Sequence, residues 1–286
     1  MLPTLNVIGC GKLAQIIVAL FLKKKLVTVQ DVYSQNLRSA KKAAQWFGQG
    51  HACRSIHQFK AADLYLISTP DDRIEITATL LAQQPFIKPG SVVFHCSGLL
   101  DSDCLHDLAN LGCYVASAHP IKSFSDVARS MRNFSGTHCG LEGHPKALKI
   151  LKYIFRKIGA HTLSIRKKQK KFYHAAAVFA SNYCVTLAAQ ANACYRQAGI
   201  NKALAHEIVL QLMQDTLGNM QATSSYRKAL TGPIQRGDIN TVKAHQAALQ
   251  AFPELEQLYN ILGHHTLCLS YHREAMGFLF KSASSD

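Results

Sequence analysis

The chain has 286 residues, 48% of them hydrophobic, enough for two ordinary domains with a buried core and too apolar for a disordered chain. Its 32 Lys and Arg against 17 Asp and Glu give a formal charge of +15, which favours anionic partners such as phosphorylated ligands, nucleic acid or an anionic membrane and says nothing about fold. Nine cysteines are scattered without a C-x-x-C pair, several inside apolar runs where a thiol behaves as a small hydrophobe. That usage argues against a disulfide framework and a structural zinc site, and points to a reducing compartment, the cytoplasm. The first apolar run, Leu5 to Ile8, leads straight into a glycine turn, so no signal peptide is expected. No stretch approaches the roughly 20 apolar residues of a membrane span.

In chain order, strands are expected at Leu5–Gly9, Val27–Tyr33, Leu64–Ser68, Val92–His95, Cys113–Ser117, Thr137–Leu141 and His161–Ile165. Helices are expected between them at Leu13–Lys23, Leu37–Phe47, Arg73–Ala82 and Pro145–Lys157. Short apolar strands alternating with amphipathic helices read as a mostly parallel sheet covered on both faces. After Ile165 the rhythm changes. Lys168–Ala198 is one long helical stretch without Pro or Gly, Lys202–Met220 is another, and two more follow Asp238 and Pro253. The expectation is an α/β Rossmann domain over 1–165 and an all-helical domain over 166–286, with the boundary at the basic run Arg166–Lys171 and a frayed tail at Ser282–Asp286.

The sharpest local signal is the G-x-G-x-x-A turn of Gly9, Gly11 and Ala14, which follows a strand and opens an apolar helix. Gly9 permits the turn, Gly11 lets a pyrophosphate approach the backbone, and Ala14 allows close helix–strand packing. The N–H groups around Lys12 and Leu13 then face the phosphates at the positive end of the helix. NAD sites usually carry an acidic residue at the tip of the second strand. Here Asp31 falls inside the strand. Ser34, Asn36 and Arg38 follow the tip, with Lys41 and Lys42 nearby. Hydroxyl, amide and guanidinium groups suit a 2′-phosphate, so NADP is expected ahead of NAD. At the carboxyl ends of later strands, Thr69 and Pro70 are expected to line the cofactor crevice, Ser97 to meet the nicotinamide or substrate, and His119-Pro120 to lie at the same edge.

Several strings together resemble an uncharacterised bacterial family that joins a Rossmann-like half to a helical domain of unknown function, number 2520. They are Val7-Ile-Gly-Cys-Gly-Lys-Leu-Ala14, His95-Cys-Ser-Gly98, His119-Pro-Ile-Lys-Ser-Phe124, Tyr173-His-Ala-Ala-Ala-Val-Phe-Ala-Ser-Asn182 and Thr231-Gly-Pro-Ile-Gln-Arg-Gly-Asp238. That family is similar in architecture to 6-phosphogluconate and β-hydroxyacid dehydrogenases, ketopantoate reductases and pyrroline-5-carboxylate reductases. The resemblance implies a helical domain of the 6-phosphogluconate dehydrogenase C-terminal type, a nicotinamide cofactor, and a homodimer through the helical domain. By analogy it implies hydride transfer with a small carbonyl, imine or hydroxy substrate, anionic as in those enzymes, in a cleft between the domains.

At 100° per residue, Lys171, His174 and Asn182 fall on one face of a continuous helix. Lys171 and His174 are alternative proton donors, and Asn182 can hold a substrate oxygen. Lys171-x-x-His174 resembles the Lys-x-x-His-Asn element of 6-phosphogluconate dehydrogenases, with Ala175 in place of the Asn. Arg236, in a glycine- and proline-punctuated loop, can grip an anionic group or pair with Asp238, itself placed to cap the next helix. Plainer readings stay open: Lys171 as a solvated cap, His174 as a hydrogen-bonded core residue, and His119 as a capped loop residue. No ligand spacing for a metal appears among the 14 His. No recognition helix or aromatic-and-basic platform supports nucleic-acid binding. The leading expectation is an NADP-dependent oxidoreductase; the alternative is a non-catalytic dinucleotide sensor or scaffold.

Overall fold

The computed structural model describes residues 1–280, so the expected fraying of Ser282–Asp286 lies outside the described residues. The chain divides into two compact units, Met1–Ser181 and Asn182–Asp286. The first begins with β1 (Thr4–Ile8), α1 (Lys12–Lys23), β2 (Thr28–Tyr33), α2 (Leu37–Phe47), β3 (His51–Cys53) and β4 (Leu64–Ile67). It continues with α3 (Asp71–Ala82), β5 (Val92–His95), α4 (His106–Asn110), β6 (Tyr114–Pro120), α5 (Val127–Arg132) and β7 (His138–Gly143). It ends with α6 (Pro145–Lys157), β8 (His161–Ser164) and α7 (Lys170–Ala180).

The eight strands form one sheet in the order β3-β2-β1-β4-β5-β6-β7-β8. All pairings are parallel except β6 with β7. The central strands β4 and β5 read Leu-Tyr-Leu-Ile and Val-Val-Phe-His and are buried at every position, as both faces of a parallel sheet require. One face carries the cluster around Ile17, Phe21, Phe94, Leu151 and Phe155, contributed by α1, α2, α6 and the sheet. The other carries Tyr65, Ile74, Ala78, Leu105 and Leu108, with α3 and α4. The order of strands reverses between β1 and β4, and ligands of open α/β sheets bind at such a switch point.

The expected strands and helices of this half are present, with two instructive differences. β3 has no apolar run to announce it; it exists because three residues pair with the end of β2. β6 runs past Ser117 to Pro120, because β7 pairs antiparallel with it as far as Pro120 and Cys139.

The second unit is helical: α8 (Asn182–Gln197), α9 (Lys202–Gln221), α10 (Tyr226–Ala229), α11 (Pro233–Arg236), α12 (Ile239–Leu249), α13 (Pro253–Leu269) and α14 (Arg273–Met276). Among the described residues no helix is long and apolar enough to cross a membrane. The division falls after residue 181 instead of 165, because α7 is fastened to the sheet through Lys170 and Tyr173. The expected single helix over 168–198 is broken at Ser181, whose φ of −123° and ψ of −67° leave helical geometry.

The turn after β1 depends on Gly9. Its φ is +94°, its N–H donates to the Tyr33 carbonyl at 2.8 Å, and a Cβ there would stand 2.4 Å from the Ser68 carbonyl oxygen. Gly9→Ala is expected to cost about 1–3 kcal/mol from backbone strain before the steric clash is added. Gly11→Ala, whose added methyl meets nothing within 4 Å, is expected to cost less. Urea denaturation of the two variants checks the order.

Candidate functional site

A cleft of about 790 Å³ opens at the switch point, lined by Gly9–Leu13, Tyr33–Gln35, Thr69–Arg73, Cys96 and Ser97 among others. Gly11 stands at the N-cap of α1 in extended geometry (φ −66°, ψ 175°), with no side-chain cap and no acidic residue in the first turn. The first N–H groups of α1 are therefore left to a ligand and repelled by no carboxylate, which is the condition for binding an anion. Ala14 is fully buried beneath them and packs the helix on the sheet. Lys12 is exposed, and its Nζ donates to the Ser125 carbonyl at 2.6 Å. Thr69 and Pro70 also line the cleft, and Thr69 Oγ1 is buried without a hydrogen-bond partner among the described residues.

At the tip of β2, Ser34, Gln35 and Ser39 line the cleft. Asn36 does not offer its amide oxygen to the cleft: that oxygen caps α2 by accepting the Arg38 N–H at 2.8 Å. Arg38 is exposed one turn along. Asp31 is buried inside β2 and accepts the Lys60 N–H at 2.7 Å, short of the strand tip, as the sequence register implied.

The ends of β5 and β6 carry the titratable groups. His95 is fully buried; its Nδ1 accepts the Ser97 N–H at 3.1 Å and its Nε2 lies 3.2 Å from the Asp101 carbonyl. One acceptor and one donor are both used, so the ring is held as the neutral tautomer. Burial, aided by the charge of Lys170, pushes its pKa down to about 3. Ser97 is at the cleft wall, but its hydroxyl donates to Asp71 Oδ2 at 2.8 Å and accepts from Leu99 and Leu100 N–H. It builds the turn instead of facing outward. His119 sits with Nδ1 2.8 Å from the Tyr173 hydroxyl, and burial followed by its neighbours His174 and Lys170 lowers its pKa to about 4. The His119 and His174 rings meet edge to face at 5.9 Å, and His174 Nδ1 is buried with no hydrogen-bond partner among the described residues. Gly98 makes this possible: a Cβ there would lie 2.4 Å from His174 Nδ1 and 2.9 Å from His119 Cε1. The cleft cysteines are thiols at neutral pH, Cys10 raised to about 11 and Cys96 to about 12 by burial.

Lys171 is exposed and does not join this group. The neighbouring Lys170, which sequence reasoning passed over, is buried instead. Its ammonium donates to the Leu100 carbonyl and the Ser117 hydroxyl and pairs with Glu142 at 3.4 Å; burial lowers its pKa against the opposing pull of Glu142. Glu142 also accepts from the Ser102 N–H (2.9 Å) and hydroxyl (2.8 Å). Helical spacing held the missed clue: Lys170 is four residues from His174 and so about 40° away, against about 60° for Lys171. The expected continuous helix breaks at Ser181, and Asn182 opens α8 in the second unit, where it is exposed. Arg236, also in the second unit, is engaged by Asp238 at 2.7 Å. That ion pair occupies the Asp238 carboxylate, which makes no capping bond to α12. In the same loop Gln235 Oε1 is buried without a hydrogen-bond partner among the described residues.

The sheet order, the glycine turn and the cleft at the switch point define a Rossmann-type protein with a helical second unit. Two family models match in tandem: a Rossmann-like domain over residues 4–120, and a domain of unknown function, DUF2520, over residues 137–266. The chain is a Rossmann-like protein with a DUF2520 domain. No curated protein matches it. Among solved structures it is similar to a protein from Thermotoga maritima at 26% identity, over 92% of this chain and 96% of that one, with a TM-score of 0.72. A proposed NADP oxidoreductase from Bacteroides fragilis matches at 20% identity, over 93% and 98%, with a TM-score of 0.76. A pyrroline-5-carboxylate reductase from Coxiella burnetii matches at 14% identity, over 94% and 99%, with a TM-score of 0.60. The last two likenesses are of fold.

Below pH 6.5 the unfolded chain protonates His95 while the folded chain refuses the proton until about pH 3. The unfolded state then binds more protons, so stability is full above 6.5 and falls as pH drops through that window, by at most about 1.4 kcal/mol per pH unit for this residue. Denaturation between pH 7 and 4 is expected to show this slope, reduced in His95→Gln.

Proposed function

We propose that this protein is a nicotinamide-dinucleotide-dependent oxidoreductase, using NADP(H) ahead of NAD(H), that acts on a small carbonyl, imine or hydroxy substrate. The observation that carries the reading is the placement, on one sheet edge of the first unit, of an uncapped helix N-terminus and an unpartnered buried imidazole nitrogen on His174. The residues present fit the dinucleotide. Gly11 leaves open space where a Cβ would project, the N–H groups from Gly11 to Leu13 can take the diphosphate, and the orphaned Thr69 Oγ1 waits on the cleft wall. Ser34 and Ser39, with exposed Arg38 beside them, suit a 2′-phosphate, and Asp31 is held away from that tip by Lys60.

When bound, a nicotinamide supplies or accepts a hydride. His174 then gives a proton to the reduced oxygen or nitrogen, or takes it in the reverse direction, through Nδ1. His119 stays neutral at physiological pH, with a pKa near 4, and crowds beside it without adding charge. Lys170 has its three donors engaged by Leu100, Ser117 and Glu142, so it holds the loop instead of meeting substrate. Arg236 is paired with Asp238, so an anionic substrate group is expected from the +15 charge alone. Nine free cysteines support a cytoplasmic setting.

A homodimer through the second unit completes the proposal. Among the described residues that unit buries only Ala205, Val209, Val242, Leu267, Met276 and Phe280 as hydrophobics, too few for a domain of its size. Meanwhile α8 buries nothing, and Val185, Leu212 and Leu217 are more than half exposed.

Calorimetry is expected to give NADPH binding about tenfold tighter than NADH, with the preference reduced in Arg38→Ala. With a panel of keto acids, hydroxy acids and imines, His174→Asn is expected to lower kcat about 100-fold or more while NADPH binding persists. No binding of either nucleotide sinks the proposal, and binding without turnover on any substrate makes the protein a sensor. Sedimentation velocity is expected to show a dimer that Leu212→Glu converts to monomer; a wild-type monomer refutes the assembly.

A further inference from the structure

The first unit holds a second cluster of chemically capable side chains, on the edge strand β3 and its neighbour β2. Parallel pairing sets Asp31 beside His51, and Cys53 follows two residues on. Cys53 Sγ lies 3.4 Å from His51 Nδ1 and 3.8 Å from Asp31 Oδ1, and His51 Nδ1 lies 3.9 Å from Asp31 Oδ1. A tetrahedral zinc ion, with Zn–S about 2.3 Å and Zn–N and Zn–O about 2.0–2.2 Å, sets its ligand atoms roughly 3.4–3.6 Å apart. Two of the three separations are within about 0.2 Å of that triangle, and the His51–Asp31 edge is about half an ångström long, a gap the exposed His51 side chain can close.

We infer that Asp31, His51 and Cys53 bind a divalent ion of the zinc class, with a fourth position open to water or an external ligand. The charge balance supports this. Asp31 is a buried carboxylate with no Lys or Arg pairing it among the described residues; its partners are the Lys60 N–H and the two other members of the cluster. A buried carboxylate without a cation is costly, and a metal ion removes that cost. The Cys53 thiol is fully buried, whereas the His51 side chain is 75% exposed, so an ion has a way in from solvent. On binding, Cys53 gives up its thiol proton to solvent and coordinates as thiolate; neutral His51 coordinates through Nδ1 and Asp31 through Oδ1. A thiolate, an imidazole and a single carboxylate oxygen select zinc-class ions over magnesium or calcium, which prefer oxygen ligands alone. No sequence pattern announces this site, because the ligands come from two strands and follow no Cys-pair or helical His spacing.

The test is titration of the whole chelator-treated protein with Zn²⁺ by calorimetry, and with Co²⁺ followed by absorption. One ion per chain is expected at micromolar affinity or tighter, with thiolate-to-cobalt charge transfer in the near ultraviolet. Cys53→Ser is expected to abolish that band, and His51→Ala to weaken Zn²⁺ binding about tenfold or more. Because Cys53 is buried and its replacement can disturb folding, His51→Ala, at an exposed side chain, decides the matter if Cys53→Ser does not fold. Binding weaker than micromolar in the wild type, or wild-type affinity retained in either folded variant, overturns the site; the latter result moves binding to other thiols such as exposed Cys184 and Cys194.

Discussion

An ammonium group taken out of water must find acceptors for all its protons, and in this protein Lys170 finds them on three separate pieces of chain. The Leu100 carbonyl belongs to the loop after β5, Ser117 to β6 and Glu142 to β7. Glu142 passes the constraint on to Ser102. One buried cation therefore fixes the loop that carries Ser97 and Gly98, joins the antiparallel pair β6–β7 to it, and fastens the start of α7 to the sheet. His174, one helical turn further along α7, is delivered beside Gly98 and His119 as a consequence. Such a pair contributes little net stability in general, since desolvation offsets the attraction, but losing either partner strands a charge. Its value here is positional.

The β1–α1 turn and the ends of β5 and β6 are prepared differently. At the β1–α1 turn, backbone does the work: Gly9 supplies the left-handed conformation, and the uncapped first turn of α1 supplies N–H groups and dipole. At the β5–β6 end, side chains do it, and burial is the main tool. Both His95 and His119 are kept neutral by desolvation, so the neighbourhood of His174 holds imidazoles without accumulating positive charge beside Lys170. Polar groups that line the wall, such as Ser97, are largely consumed by the turn they form. Among the described residues Thr69 Oγ1, on the cleft wall, and His174 Nδ1, against Gly98, are buried and unpaired, and so have capacity for a ligand.

The sheet and its order of elements were legible in the chain because parallel strands buried on both faces must be short continuous apolar runs, and these are what Leu64–Ile67 and Val92–His95 are. The glycine turn was legible because only glycine tolerates the backbone at residue 9, and the helix after it declares itself by its apolar face. β3 was invisible, since a three-residue edge strand owes its existence to its neighbour. Lys170 was passed over because helical spacing puts it only about 20° nearer to His174 than Lys171, and the packing of α7 decides which lysine is buried. For Arg236 the sequence left open a ligand or Asp238, and it is the ion pair with Asp238 that the structure holds.

By itself, then, the sequence determined the class of fold, the glycine turn between β1 and α1, and the helical character of the second unit, because each follows from local periodicity or from a conformation that one residue type alone allows. The tertiary structure decided which charged groups are buried and which partners they take: Lys170 with Glu142, His119 with Tyr173, and Asp31 with His51 and Cys53. These pairs join residues 20 to 54 positions apart, with Asp31 and His51 the nearest and His119 and Tyr173 the farthest. No local pattern encodes such separations; they exist only once strand order and helix docking have brought distant segments side by side.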